Sequence, residues 1–209
     1  MTNVWKLSPE QSEEIISRAA ALISRGGVIA YPTETFYGLG ADATNEQALS
    51  RIFDIKGRAF HNPISVIISA QDDIYPLIKN STDLADKLMK SFWPGPLTIV
   101  FNAAENVSAL LTAGSGKIGI RLPGHPLPRL IAEKSGRPLT ATSANLSGQP
   151  ECVTADKVIE QIGVKIDAVI DGGVTPGEKA STIIDITCHP PAVLREGVIT
   201  KKSLAKIIG

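Results

Sequence analysis

Cysteine is scarce, with two among 209 residues, Cys152 and Cys188. Two thiols cannot form a disulfide framework, and they lack the C-x-x-C spacing of a zinc or redox site. An excess of one charge is also missing: 21 Lys+Arg stand against 21 Asp+Glu. The chain therefore has no global attraction to nucleic acid or anionic lipid, and any anion site must come from a local cluster. No uncharged apolar run approaches the roughly 18 residues of a membrane span. The opening MTNVWKLSPEQSEE enters an acidic helix start without a basic-then-apolar leader. These absences predict a soluble cytoplasmic protein with no membrane partner. What is present, 43% hydrophobic and 20% charged residues, is the balance of a globular chain with a proper core, and one domain over residues 1–209 is the simplest expectation.

Periodicity supplies the elements. Ser8, Pro9 and Gln11 form a capping box before Ile15, Ile16, Ala19, Leu22 and Ile23, which recur at helical spacing up to Gly26-Gly27. A second box, Thr44 with Gln47, opens a helix running into Lys56-Gly57. Further helices are expected over 82–91, 127–134 and 154–162, and a last one from Thr200 to Ile208. Short apolar runs predict strands over 28–31, 64–68, 97–101, 118–122, 139–142, 168–170, 183–186 and 193–195. The alternation implies an α/β fold with helices flanking an open twisted sheet. Successive strands after residue 168 without helices between them imply that part of that sheet is antiparallel.

Several familiar fingerprints fail on context. Gly114, Gly116 and Gly119 spell G-x-G-x-x-G but lead into a strand, not a helix. Gly116-Lys117 lacks the earlier glycine and the following Ser/Thr of a P-loop. His61, His125 and His189 are scattered, no metal-ligand set is evident, and no G-x-S-x-G elbow occurs. What remains are polar clusters where strands end. Pro32 to Gly40 packs two hydroxyls, a carboxylate and a phenol among glycines. Lys56-Gly57-Arg58 offers an anion clamp, or simply two exposed cations answering a helix dipole. Arg121 follows a strand, Thr142 to Gly148 ends another with small hydroxyl and amide side chains, and Ser181-Thr182 and Arg195-Glu196-Gly197 complete the series. Each is unremarkable alone. Together, at the carboxyl ends of strands in an α/β sheet, they could line one crevice.

PTETFYGLGADAT, KGR at 56–58, WPGPLT at 93–98, RLPGH at 121–125, TSANLSG at 142–148, STIID at 181–185 and REG at 195–197 resemble, block by block and in order, the threonylcarbamoyl-AMP synthase family, the YrdC-like domain. The resemblance implies an open twisted sheet of mixed strands around a positively lined cleft. It also implies that L-threonine, bicarbonate and ATP become L-threonylcarbamoyladenylate and pyrophosphate, with Mg2+ assisting. The product would serve a tRNA-modifying threonylcarbamoyl transferase complex, with tRNA as a further partner. Carried over motif by motif, Lys56, Arg58, Ser143 and Asn145 would be catalytic, and Asn62 and Arg195 would join Arg58, Ser143 and Asn145 around the nucleotide. Thr35, Arg121, the backbone at Ala141 and Ser181 would receive threonine. Three positions depart from the family pattern: Ala59 replaces a proline, Ile67 a histidine of longer members, and Glu151 a nucleotide-contacting serine. The chain also ends soon after Arg195, as a single-domain form would. Two other readings remain: a non-catalytic double-stranded RNA- or tRNA-binding module using the same basic cleft, and a divergent paralogue with another carbamoyl or acyl substrate.

Overall fold

The computed structural model describes residues 2–57 and 62–208. Its strands are β1 (Asn3–Lys6), β2 (Ile29–Tyr31), β3 (Gly38–Gly40), β4 (Ser65–Ile67), β5 (Leu97–Asn102), β6 (Lys117–Arg121), β7 (Leu139–Ser143), β8 (Ala168–Asp171), β9 (Thr182–Asp185) and β10 (Ala192–Arg195). They form one sheet in the order β1-β8-β2-β3-β7-β4-β6-β5-β9-β10. The helices are α1 (Ser12–Ile23), α2 (Glu46–Lys56), α3 (Asp83–Phe92), α4 (Ala109–Thr112), α5 (Pro126–Ser135), α6 (Ala155–Ile162) and α7 (Lys201–Ile208). The sheet is mixed, as expected. β9 and β10 pair antiparallel, whereas β8, the other late strand, lies between β1 and β2 at the far end of the sheet.

Period-two alternation sorts each strand between two cores. Val28 and Ala30 face the larger one, with α2, α3, α6 and α7; Ile29 and Tyr31 face a smaller one built on Ile15, Ala19 and Ile23 of α1 and Leu127 and Ile131 of α5. Two helices are too few to cover a ten-stranded face, and the remainder of that face is open.

Some local signals resolve differently from the sequence expectation. α1 begins at Ser12, and its N-cap, Gln11, makes no side-chain bond. The Ser8 carbonyl instead accepts from Gln11 N at 3.2 Å, closing a turn before the helix. The cap of α2 is Asn45, whose Oδ1 accepts from the backbone N of Gln47 and Ala48 at 3.0 and 3.1 Å, while the Thr44 hydroxyl donates to Asp42. Amide and hydroxyl compete for the same orphan N–H groups here, and the residue nearer the first turn takes them.

Candidate functional site

β3 exists because it is glycine at both ends. A Cβ on Gly38 or Gly40 would sit 2.8 or 2.5 Å from the Tyr31 ring, so the ring lies flat across that strand, with its hydroxyl donating to the Thr140 carbonyl at 3.1 Å. From Tyr31 the uncovered face can be followed strand by strand. Tyr31 lies opposite Gly38, and Gly38 opposite Ser143. Ser65 lies opposite Ala141, and Ile67 opposite Arg121. Thr98 lies opposite Ile183, and Ile183 opposite Arg195. Directly opposed residues project to one side of a sheet, and all of these line a cavity of ≈ 600 Å³.

The carboxyl-end expectation is thereby corrected. β4 pairs parallel with β6 but antiparallel with β7, so Arg121 and Ser143, each at the carboxyl end of its strand, lie toward opposite ends of the sheet. They meet because they share a face. Of the expected site residues, Thr35, Lys56, Asn62, Arg121, Ala141, Ser143, Asn145, Ser181 and Arg195 all line this cavity. Arg58 lies outside the described residues. Tyr31, Ser65 and Thr98 were missed; a hydroxyl inside an otherwise apolar strand was the available signal.

At one end of the cavity, α2 stops at Lys56 because Gly57 adopts φ 58°, a left-handed conformation natural to glycine. Lys56 is no exposed cation, being 4% accessible. Its ammonium donates to the carbonyls of Ser143 and Asn145 at 2.5 and 2.9 Å and to Asn145 Oδ1 at 3.1 Å. The Ser143 hydroxyl donates to the same Oδ1 at 2.6 Å, and Asn145 Nδ2 donates to the Gln149 carbonyl at 2.6 Å. Gln161 of α6 fixes the loop from behind through Leu146 N and the Pro150 carbonyl. The turn over 143–149 is thus preorganised around a buried positive charge.

At the other end, Arg121 Nε donates to the Gly95 carbonyl at 3.1 Å. Its NH2 lies 2.7 Å from Glu34 Oε1, a largely buried ion pair. Glu34 also accepts from the backbone N of Gly124 and His125 at 2.7 and 3.2 Å. Burial pushes the Glu34 carboxyl up, but Arg121 and the Gly124 N–H outweigh it and hold the group below its ordinary value. Arg195 donates to the carbonyl and hydroxyl of Ser181 at 2.9 and 3.0 Å. Burial, and to a lesser degree Arg121, lower its pKa against the opposing pull of Glu151. Burial pushes the Tyr31 phenol strongly upward and that of Tyr37 up to about 12, so both rings stay neutral donors.

The Thr33 hydroxyl donates to the Phe36 carbonyl at 2.7 Å, and its oxygen accepts from Thr35 N at 3.0 Å. The remaining 3.0 Å contact between the two hydroxyls must then run from Thr35 to Thr33, which leaves Thr35 Oγ1 an acceptor.

The family model Sua5_yciO_yrdC, described as "Telomere recombination", matches residues 21–197. The chain belongs to this family. Among its relatives, the threonylcarbamoyl-AMP synthase of Pyrococcus abyssi is 40% identical over 209 residues, which is 100% of this chain and 62% of that protein. The solved structure of P. abyssi Sua5 complexed with L-threonine matches with a TM-score of 0.94 and covers 100% of this chain and 61% of its own. Escherichia coli YciO matches with a TM-score of 0.84 at 28% identity, covering 95% of this chain and 97% of its own. The chain thus spans less than two thirds of the length of the P. abyssi relative. As in other Sua5/YciO/YrdC members, the fold is an open mixed sheet with flanking helices.

A resident magnesium ion does not fit the described residues. Among the described residues no group of three His, Cys, Asp or Glu side chains converges, and Asn145 Oδ1 already accepts from Lys56 and Ser143. No helix is long and apolar enough to cross a membrane among the described residues.

Proposed function

We propose that the chain is an L-threonylcarbamoyladenylate synthase, a nucleotidyltransferase acting on ATP. The observation that carries this reading is the meeting, in one ≈ 600 Å³ cavity, of two chemically different ends: an arginine set against a carboxylate, and a hydroxyl-amide turn built on a buried ammonium. The threonine amine adds to the carbon of bicarbonate with loss of water, giving a carbamate. A carbamate oxygen then attacks the α-phosphorus of ATP, the α–β bridging P–O bond breaks, and pyrophosphate leaves with the electron pair. Two anions must be brought into line, so positioning and charge neutralisation supply the catalysis, with no side-chain nucleophile.

In this reading Arg121 takes the threonine carboxylate. Thr35 accepts from a donor group of the amino acid, and the Ala141 backbone and Ser181 close that end. Ser143, Asn145, Asn62, Arg58 and Arg195 take the nucleotide, and Lys56 provides charge from within the turn it holds. Magnesium enters bound to the phosphates of ATP, as part of the substrate. The labile product would pass, in the cytoplasm, to a tRNA-modifying threonylcarbamoyl transferase complex. Pyrophosphate release tests the reading: it should require threonine, bicarbonate and ATP together, and release that persists without threonine or bicarbonate would refute it.

A further inference from the structure

The cavity carries several cations, and a triphosphate would be drawn to any of them. Lys56, Arg121 and Arg195 all contribute to one lining, and Arg121 lies near enough to Arg195 to depress its proton affinity. An arginine intended for a carboxylate therefore sits in the field of a polyanion. Coulomb attraction scales with ligand charge, so an unscreened Arg121 would favour pyrophosphate or a nucleotide's phosphate chain over an amino acid.

Glu34 changes that balance. Its carboxylate lies 2.7 Å from Arg121 NH2 and is fixed in place by two backbone N–H groups at the start of α5. Arg121 itself is held by the Gly95 carbonyl. The pair is formally neutral and rigid, so multiple charge on a ligand gains nothing there. What remains is the planar fork of the guanidinium, which matches one carboxylate. At the other end the Lys56 ammonium meets two carbonyls and an amide oxygen.

We propose that Glu34 is a specificity-determining residue that screens Arg121, reserving this end of the cavity for a monocarboxylate and excluding phosphate chains from it. The proposal rests on the function given above and deepens it.

Calorimetric titration of the purified chain with L-threonine, and separately with pyrophosphate, tests it. Wild-type protein should bind both, and in turnover pyrophosphate should compete with ATP but not with threonine. Glu34→Gln should strengthen pyrophosphate several-fold, strengthen threonine by less, and make pyrophosphate competitive with threonine. A purely structural role for Glu34 would weaken both ligands. Arg121→Gln, which keeps Glu34, provides a second arm should Glu34→Gln fail to fold: it should weaken threonine while leaving pyrophosphate no weaker. Pyrophosphate that stays non-competitive with threonine in folded Glu34→Gln, or that weakens in Arg121→Gln as much as threonine does, would overturn the proposal. Absence of threonine binding by the wild-type chain would instead overturn the function on which it rests.

Discussion

Lys56 shows how far one side chain can differ from its sequence context. Beside a glycine at a helix end it reads as a solvated cation whose removal leaves the fold intact, yet it is 4% accessible and makes three hydrogen bonds to a single turn. Lys56→Ala would strip the Ser143 and Asn145 carbonyls of this donor, and unsatisfied buried polar groups cost about 1–3 kcal/mol each. With partial rehydration the loss should be roughly 2–4 kcal/mol, which for a chain of this length lowers the melting temperature by about 5–10 °C. Turnover should fall about a hundredfold, as when a preorganised donor is lost. An unchanged melting curve would show that the turn does not depend on its lysine. Glu34 gives the residue-scale pH prediction. Its carboxyl is held below the ordinary value of 4.5, so its stabilising contribution is complete above that value and disappears as pH falls through the lower folded-state value. The difference in melting temperature between wild type and Glu34→Gln should be constant above pH ~5 and shrink with acidification. A difference that grows as pH falls would contradict the ion pair.

At the scale of elements, legibility followed the source of each element's stability. α2, α3, α5 and α6 carry their own apolar stripes and caps, and their positions were readable to within one or two residues. β1 and β3 were not readable. β1 is four mostly exposed residues whose partner, β8, lies more than 160 positions along the chain, and β3 is Gly-Leu-Gly, a sequence that reads as a loop. β3 forms because Tyr31 requires two positions without side chains beneath its ring, a tertiary demand invisible to local propensity. Gly40→Ala would place a methyl 2.5 Å from that ring. The resulting overpacking should cost about 1–3 kcal/mol. Because Tyr31 also lines the cavity, threonine binding should weaken together with stability. A fully stable Gly40→Ala chain with normal threonine affinity would show that Tyr31 moves aside freely.

At the scale of the whole molecule, the residue types of the site were legible and their arrangement was not. Hydroxyls, amides and cations at strand ends pointed to an anion crevice, but shared strand tips require neighbouring parallel strands, and the sequence located the expected antiparallel part only after residue 168. In the mixed order found here, the carboxyl ends of β6 and β7 lie toward opposite ends of the sheet, and the face left open by α1 and α5 gathers the residues instead. Glu34 was present in the sequence as one carboxylate among nine loop residues, with nothing local to connect it to Arg121, 87 positions on. The central claim is that two chemically distinct ends of one cavity join an amino-acid carbamate to a nucleotide. Mass spectrometry of a reaction containing L-threonine, ATP and carbon-13 bicarbonate tests it most directly. The prediction is an adenylate carrying threonine and a single labelled carbon; AMP and pyrophosphate without that adduct, or an adduct without the label, would contradict it.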